Sequence, residues 1–419
     1  MKRVQIIQST NSQAVARRGV ITPLAAIVLL VVMTGIALIV NRLWLDAASL
    51  EVTTCVETAA LAAGHELVSD ELLKEKPDFD LLMERAETSA NQALKLNTVA
   101  GQRIGINLTK GDNLLFGKLV PDEETGLRKF LQTDHEPQSI QIKTHGSSRL
   151  ANPVADFMSD LTRTHPGRIG AQIEATLDNH ILGVRPFENV PVPAYPLAIL
   201  KIDPTGKHTE TWELQINQKR GKDEYRFDPE TKTVSRGSDG IPEIILTSKP
   251  RRGEITDANM QLLDFGSDLK SEPVVRQIRS GLTRKDLKHF HGELLFNGTP
   301  LPLHCSPDLE NAEQDAFEEM TGQCRICFLY DQVTAFGQKY DGTADCTNLV
   351  AGRIMAVQRD DNQTTKIILQ PGVLTTRTVI LTQPESDPSA DHSKPNLQQT
   401  ADPLKPVTNK YIYKLYLTR

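Results

Sequence analysis

The residues with the clearest capacity for chemistry are four cysteines in the last third of the chain. Cys305, Cys324, Cys327 and Cys346 fall within a short stretch of the 419 residues. In an oxidising compartment such thiols tend to pair, and four cysteines allow three connectivities that sequence alone does not distinguish. If 324–330 is a strand, Cys324 and Cys327 point to opposite faces and do not bond each other. We therefore expect two structural disulfides.

The same cysteines suit two other kinds of site. A zinc ion binds four thiolate or imidazole ligands, and His304, or His289 with His291, could join the thiols, although a second C-x-x-C is missing. A redox role for 324–327 requires the first cysteine at a helix N-terminus, which lowers the thiol pKa. Here that cysteine follows a predicted helix and enters an apolar strand. A metal-binding or thiol-active enzyme remains the alternative hypothesis.

The standard catalytic signatures are missing from the sequence. It contains no phosphate-binding loop of the G-x-x-x-x-G-K-[ST] type and no G-x-G-x-x-G, and the H-E pair at 65–66 lacks the second histidine of a zinc protease motif. We therefore expect a protein that is not an enzyme, with no catalytic residues, no metal and no cofactor.

The elements that must position these cysteines are mainly strands. Alternating or β-branched runs predict strands, and Asn297-Gly298 suits the turn of a hairpin over 293–303. Apolar spacing predicts helices over 273–281 and 310–321, with Thr283 and Asp286 forming a capping box between them. The predicted strands are 139–143, 211–217, 243–248, 354–360, 365–371 and 376–382, with a second hairpin at 224–234.

The N-terminal region predicts a membrane anchor. Residues 20–40 carry no charge, and 21 residues of helix cover roughly 30 Å, the thickness of the hydrocarbon core. Arg17 and Arg18 precede this run and only Arg42 follows it, so the positive-inside rule places the N-terminus in the cytoplasm. A cleaved secretory signal is the other interpretation, which the helical pattern continuing to about residue 71 disfavours.

Charge excludes one class of partner. The first 45 residues hold five of the 47 basic groups and none of the 53 acidic groups, which leaves 42 basic against 53 acidic groups beyond them. This balance of −11 repels polyanions, so we expect no binding of nucleic acid.

Arg17-Arg18-Gly19 stand directly before the apolar run, and the sequence ETAALAAGHEL follows it at 57–67. These segments resemble the N-terminal region of TadG-like (TadE/TadG-like) proteins, a family named for Flp pilus assembly. From about residue 240 the chain is similar to a planctomycete-type subgroup of the family. Further matching pieces are ANQALKLN (90–97), LGVRP (182–186), LLDFG (262–266), RQIRSGL (276–282), YDQV (330–333) and LQPGV (369–373).

The resemblance implies a single-pass bacterial membrane protein whose C-terminal region is extracytoplasmic. Its implied role is structural or assembly-related, in Flp/Tad pilus biogenesis or cell-surface organisation, and its partners are the membrane and other pilus-assembly or envelope proteins. Pilin-like relatives are cleaved after a glycine by prepilin peptidase and carry Glu at position five of the mature chain. Gly19 is the candidate processing site here, although position five after it is Leu24. The small residues of 47–63 suggest self-association, or packing against the protein's own sheet.

The predicted fold is α+β, with a long N-terminal transmembrane, pilin-like helix followed by a mainly β extracytoplasmic region. The predicted segments are a basic cytoplasmic N-terminus (1–19), a transmembrane helix (20–45), a helical segment (46–100), a β-rich domain (101–250), a second β-rich region with the cysteines (251–382), a flexible linker (383–409) and a terminal strand (410–419).

Overall fold

The structure of the protein is a computed structural model. It describes residues 21–99, 102–103, 106–121, 128–144, 170–248, 254–336, 341–359, 364–382 and 408–418. The described residues contain helices α1 (Ile21–Leu67), α2 (Phe79–Leu96), α3 (Ser271–Ser280) and α4 (Asn311–Glu319). Shorter helical turns lie at Asp70–Leu73, Glu213–Asn217, Ile255–Asp257 and Asp286–Phe290.

The remaining described elements are strands, so the chain is α+β, with one long N-terminal helix ahead of a mostly β region. The strands are β1 (Thr98–Val99), β2 (Gln102–Arg103), β3 (Leu114–Pro121), β4 (Arg128–Gln132), β5 (Ser139–Lys143), β6 (Gln172–Asp178), β7 (Ile181–Val184), β8 (Ala194–Leu200), β9 (Tyr225–Asp228), β10 (Thr233–Arg236), β11 (Ile244–Thr247), β12 (Met260–Leu263), β13 (Leu294–Leu295), β14 (Leu301–Ser306), β15 (Cys324–Ala335), β16 (Gly342–Arg359), β17 (Thr365–Pro371), β18 (Leu374–Thr375), β19 (Val379–Leu381) and β20 (Ile412–Thr418).

A helix–sheet unit holds the two ends of the described chain together. Its six strands run in the order β18-β20-β6-β5-β3-β4, and the C-terminal half of α1 packs on β5, β6 and β20 while α2 packs on α1. Ile140, Ile142 and Ala175 belong to the apolar cluster that this sheet shares with the two helices, and they are fully or almost fully buried, because alternate residues of a strand point to one face of the sheet. The alternating sequence after residue 410 forms β20, which lies between β18 and β6.

A β-barrel forms the second unit. Strand β16 is 18 residues long and pairs with β15 along one edge, and with β14 and then β17 along the other. This double pairing closes β16, β14, β12, β8 and β15 into a ring of five strands, in which β8 and β15 are the parallel pair. Strands β17 and β11 extend from the ring, and both faces of β8 are buried. The barrel therefore has its own apolar core.

Three features of the structure differ from the sequence predictions: a helical turn, a strand pairing and a boundary between units. Within the predicted strand 211–217, Glu213–Asn217 form a π-helical turn instead. The run 293–303 is not a hairpin, because β13 pairs with β7 whereas β14 pairs with β12 and β16. The expected division at residue 250 falls inside the barrel unit, since β8 and β11 share a sheet with β12–β17. In contrast, the capping box is confirmed, with the Thr283 N–H 2.7 Å from Asp286 and the Asp286 N–H 3.4 Å from Thr283.

Candidate functional site

The first half of α1 exposes its apolar side chains to the surroundings. The helix is long and apolar enough to cross a membrane, and no residue of its most apolar window is buried by the rest of the protein. Leu30 and Val31 are 67% and 62% exposed, whereas soluble proteins rarely expose such large continuous apolar patches. This segment is therefore suited to a non-aqueous environment.

The second half of the same helix belongs to the core of the helix–sheet unit. Its inward stripe lies against α2 and the sheet, and Val56, Ala59, Ala60 and Ala63 are completely buried. The small residues let the helix approach closely: a Cβ added at Gly64 would lie 2.7 Å from Cδ1 of Leu415 in β20. The stripe predicted for self-association or sheet packing thus packs against the protein's own sheet. The inward side of 47–63 is not open to a second copy.

Between these halves the helix continues without interruption. The half-buried Trp44 packs against the edge of the core, and the Arg42 guanidinium lies 3.2 Å from the Asp46 carboxylate one turn later. Tryptophan rings are enriched at the boundary between hydrocarbon and water. Gly19, the candidate processing site, lies outside the described residues.

The structure does not support the predicted disulfides among the clustered cysteines. Cys305, Cys324, Cys327 and Cys346 are free. Strand register explains this correction: in the β15–β16 pair Cys324 lies opposite Arg353 and Cys327 opposite Val350, while Cys305 and Cys346 lie opposite Gly342 and Leu301 in the β14–β16 pair. No two of the four cysteines are therefore cross-strand neighbours.

The surroundings of these thiols disfavour the ionised form. Burial raises the pKa of Cys305 and of Cys324 to about 12, and burial also raises the pKa of Cys327 and Cys346. A reactive thiol requires the opposite shift. Within the described part of the chain, no three His, Cys, Asp or Glu side chains are grouped so that they could hold a metal ion, so His289, His291 and His304 do not complete a zinc site there.

The fifth cysteine lies on the buried side of α1. Cys55 is 5% exposed, and burial together with the nearby Glu51 raises its pKa. It is a packed side chain of the helix–sheet unit.

A buried ion pair joins the two units. Arg353 of β16 lies 2.5 Å from the Asp70 carboxylate just after α1, donates a hydrogen bond to the Gly322 carbonyl and stacks on the Phe227 ring. The second Asp70 oxygen accepts the Val373 N–H at 2.8 Å. Because Asp70 follows α1 by only three residues, this contact ties the barrel to the base of the long helix.

Beside this ion pair the two units enclose a groove that sequence reasoning missed. It consists of two adjoining cavities of about 420 and 470 Å³, whose shared wall is formed by Asn217, Lys410 and Tyr411. The Tyr411 hydroxyl donates to Asn217 and accepts from the indole N–H of Trp212, which lies edge-on to the Tyr411 ring. The π-helical turn supplies Asn217, so the wrong strand prediction concealed the groove. The sequence signal that could have indicated it is the aromatic run beginning at Tyr411, which was interpreted only as a strand.

Comparisons with known proteins leave the family open. The chain matches no protein-family model, no curated protein and no solved structure.

Proposed function

We propose that this protein is a single-pass, membrane-anchored structural or assembly protein of the bacterial envelope, with residues from 46 onward outside the cytoplasm. One observation carries the proposal: α1 is a single 47-residue helix whose first half exposes apolar side chains and whose second half is built into a folded core. A helix that is part of the core holds that core directly at the bilayer surface. Such an arrangement suits a protein that positions other proteins.

The orientation in this proposal comes from charge. Lys2, Arg3, Arg17 and Arg18 precede the apolar segment and no acidic residue does, which by the positive-inside rule favours a cytoplasmic N-terminus. The acidic remainder would then face the extracytoplasmic space. The resemblance to TadG-like proteins supports, within this frame, a role in Flp/Tad pilus biogenesis or cell-surface organisation with other envelope proteins as partners.

Anchoring is tested by placing charge in the exposed apolar half of α1. Residues 21–40 include twelve Leu, Ile or Val residues, which favour insertion by about 4–7 kcal/mol in total, whereas each Asp at the helix centre costs about 3 kcal/mol. The double variant Val31→Asp/Ile36→Asp should therefore be released from membranes by alkaline carbonate. The control Leu50→Asp/Leu96→Asp changes two exposed residues outside the span and should stay in the membrane pellet. Equal retention of both variants would contradict the proposal.

Orientation is tested by labelling engineered cysteines in spheroplasts with a membrane-impermeant maleimide. Lys76→Cys lies at an exposed site beyond α1 and should react before lysis. Gln8→Cys lies before the apolar segment and should react only after lysis. The reverse order would show that the chain is inserted the other way.

A further inference from the structure

We propose that the groove between the two units binds an extended acidic peptide segment of a partner protein. The groove, defined by the two cavities that share Asn217, Lys410 and Tyr411, has the size, charge and lining for such a ligand. This inference deepens the proposed function, because it names the chemistry of the partner. It rests on the proposed function only for the compartment in which the protein meets that partner.

The backbone on one side of the groove has an uncommon conformation. The π-helical turn Glu213–Asn217 presents Ile216 and Asn217 to the groove, and Lys219 follows with a φ of 55°. π-Helical turns are rare and frequent at functional sites, and a left-handed non-glycine residue costs free energy that the surrounding structure must offset. Both features occur within the seven residues 213–219, four of which line the two cavities, and clefts between structural units are where ligand sites often lie.

The charge of the groove is opposite to that of the chain around it. Four lysines and two glutamates line the two cavities: Lys74, Lys201, Lys219, Lys410, Glu136 and Glu213. Glu136 and two of the lysines form ion pairs on the protein, and Glu213 accepts a hydrogen bond from the neutral Asn217 amide, whereas Lys219 and Lys410 form no ion pair among the described residues. The groove is therefore left with two lysines against one glutamate that lack an ion pair, a net positive charge in a chain whose balance beyond residue 45 is −11, and this favours an anionic ligand.

The shape of the groove favours an extended chain over a compact molecule. Two cavities lie side by side, with the Tyr411 ring between them and Lys219 on the first cavity alone. The floor of the first cavity is apolar, with Ile216, Leu177 and Pro371 all buried. A peptide that alternates carboxylate and apolar side chains can place the former on the two lysines and the latter on this floor. Grooves lined by aromatic residues are a recurrent way to bind extended, proline-rich peptides.

The experiment measures the binding of defined peptides to the full-length protein in detergent. Fluorescein-labelled twelve-residue peptides made of four Glu-Pro-Leu, Gln-Pro-Leu or Lys-Pro-Leu repeats are titrated by fluorescence anisotropy. We expect the Glu series to bind at least tenfold more tightly than the Gln series, the Lys series not to bind, and the difference to shrink between 0.05 and 0.5 M salt as charges are screened.

Two variants with the same change in charge locate the site. Lys219→Glu/Lys410→Glu should weaken binding of the Glu peptide at least tenfold. Lys285→Glu/Lys288→Glu, which reverses two exposed lysines on the barrel far along the chain, should leave it unchanged. Absence of binding by all three peptides, or equal weakening by both variants, would overturn the proposal. Tighter binding of a polyuronate oligosaccharide at the same two lysines would overturn the assignment to a peptide. Because purified protein is used, these outcomes are independent of whether the chain is anchored in cells.

Discussion

The carboxyl group of Glu243 should make the stability of the barrel depend on pH near neutrality. This residue precedes β11 and is 4% exposed, and burial raises its pKa from about 4.5 to about 7 despite hydrogen bonds from the Glu224 and Tyr225 N–H groups. The nearby carboxylates of Asp223 and Asp239 contribute to this rise in pKa. The folded state therefore holds a proton that the unfolded chain releases between about pH 4.5 and 7.

The sign and size of the effect follow from proton linkage. Since the folded state binds the proton more tightly, the free energy of unfolding falls as pH rises through this window. At about 1.4 kcal/mol per pKa unit, the loss between pH 5 and pH 8 is roughly 2–3 kcal/mol. With a urea dependence of about 2–3 kcal/mol per molar, the unfolding midpoint should move down by about 1 M.

The assay uses Trp212, which is buried in the barrel, as the single tryptophan after Trp44→Phe. Urea unfolding in detergent is followed at pH 5 and pH 8 for the parent protein and for Glu243→Gln, whose amide oxygen can still accept both N–H groups. In Glu243→Gln, the free energy of unfolding should no longer show the pH dependence attributed to Glu243. At pH 8 this variant should be more stable than the parent protein. Glu230→Gln, an exposed change in the β9–β10 turn, should show the same shift of the urea midpoint between pH 5 and pH 8 as the parent protein. If Glu243→Gln also shows the parent's shift, the linkage argument is refuted.

Three further experiments test the ion pair, the helix packing and the oxidation state of the cysteines. Arg353→Leu should lower the free energy of unfolding by about 3 kcal/mol because it leaves a carboxylate unpaired between the units, whereas Arg359→Leu, at an exposed ion pair, should cost less than about 1 kcal/mol; the Trp212 assay measures both. Gly35→Ala, which meets no atom within 4 Å, should keep the helix-propensity gain of about 1 kcal/mol that alanine has over glycine, whereas Gly64→Ala should lose that gain because its Cβ lies 2.7 Å from Cδ1 of Leu415 and the core must repack; thermal unfolding by circular dichroism compares them. Denatured, unreduced protein should show five reactive thiols in a maleimide mass-shift assay, whereas two disulfides would leave one.

Local patterns in the sequence predicted much of this fold. The uncharged run and the small-residue stripe predicted α1, and the alternation in 139–143 and 365–371 predicted β5 and β17. These patterns are local, because the backbone of a segment itself sets the period at which its side chains return to the same face. The polar pair Thr283 and Asp286 predicted its capping box because the contact spans only three residues.

The failures concern features that depend on partners distant in the chain. Residues 211–217 alternate like a strand, but Trp212 and Ile216 are buried four positions apart in a helical turn because Tyr411, almost 200 residues later, packs beside them. Asn297-Gly298 does form a turn, with Gly298 at a φ of 88°, yet its flanking strands pair elsewhere. The pairing of the cysteines depended on register in the barrel, which no local pattern specifies. The groove lies between the two units for the same reason, and sequence reasoning did not predict it.

The position of β20 has a consequence for biosynthesis. This strand fills the sheet between β18 and β6, beneath α1, yet the ribosome makes it 345 residues after α1 ends at Leu67. At 5–20 residues per second, the delay is roughly 20–70 s. During that time the barrel can close, because its strands are contiguous between β8 and β17, while α1 lacks its Leu415 contact and β6 has an unpaired edge. A nascent chain of this protein would therefore present an incomplete sheet next to its most apolar helix until β20 emerges. That interval is when it has the greatest need of a chaperone.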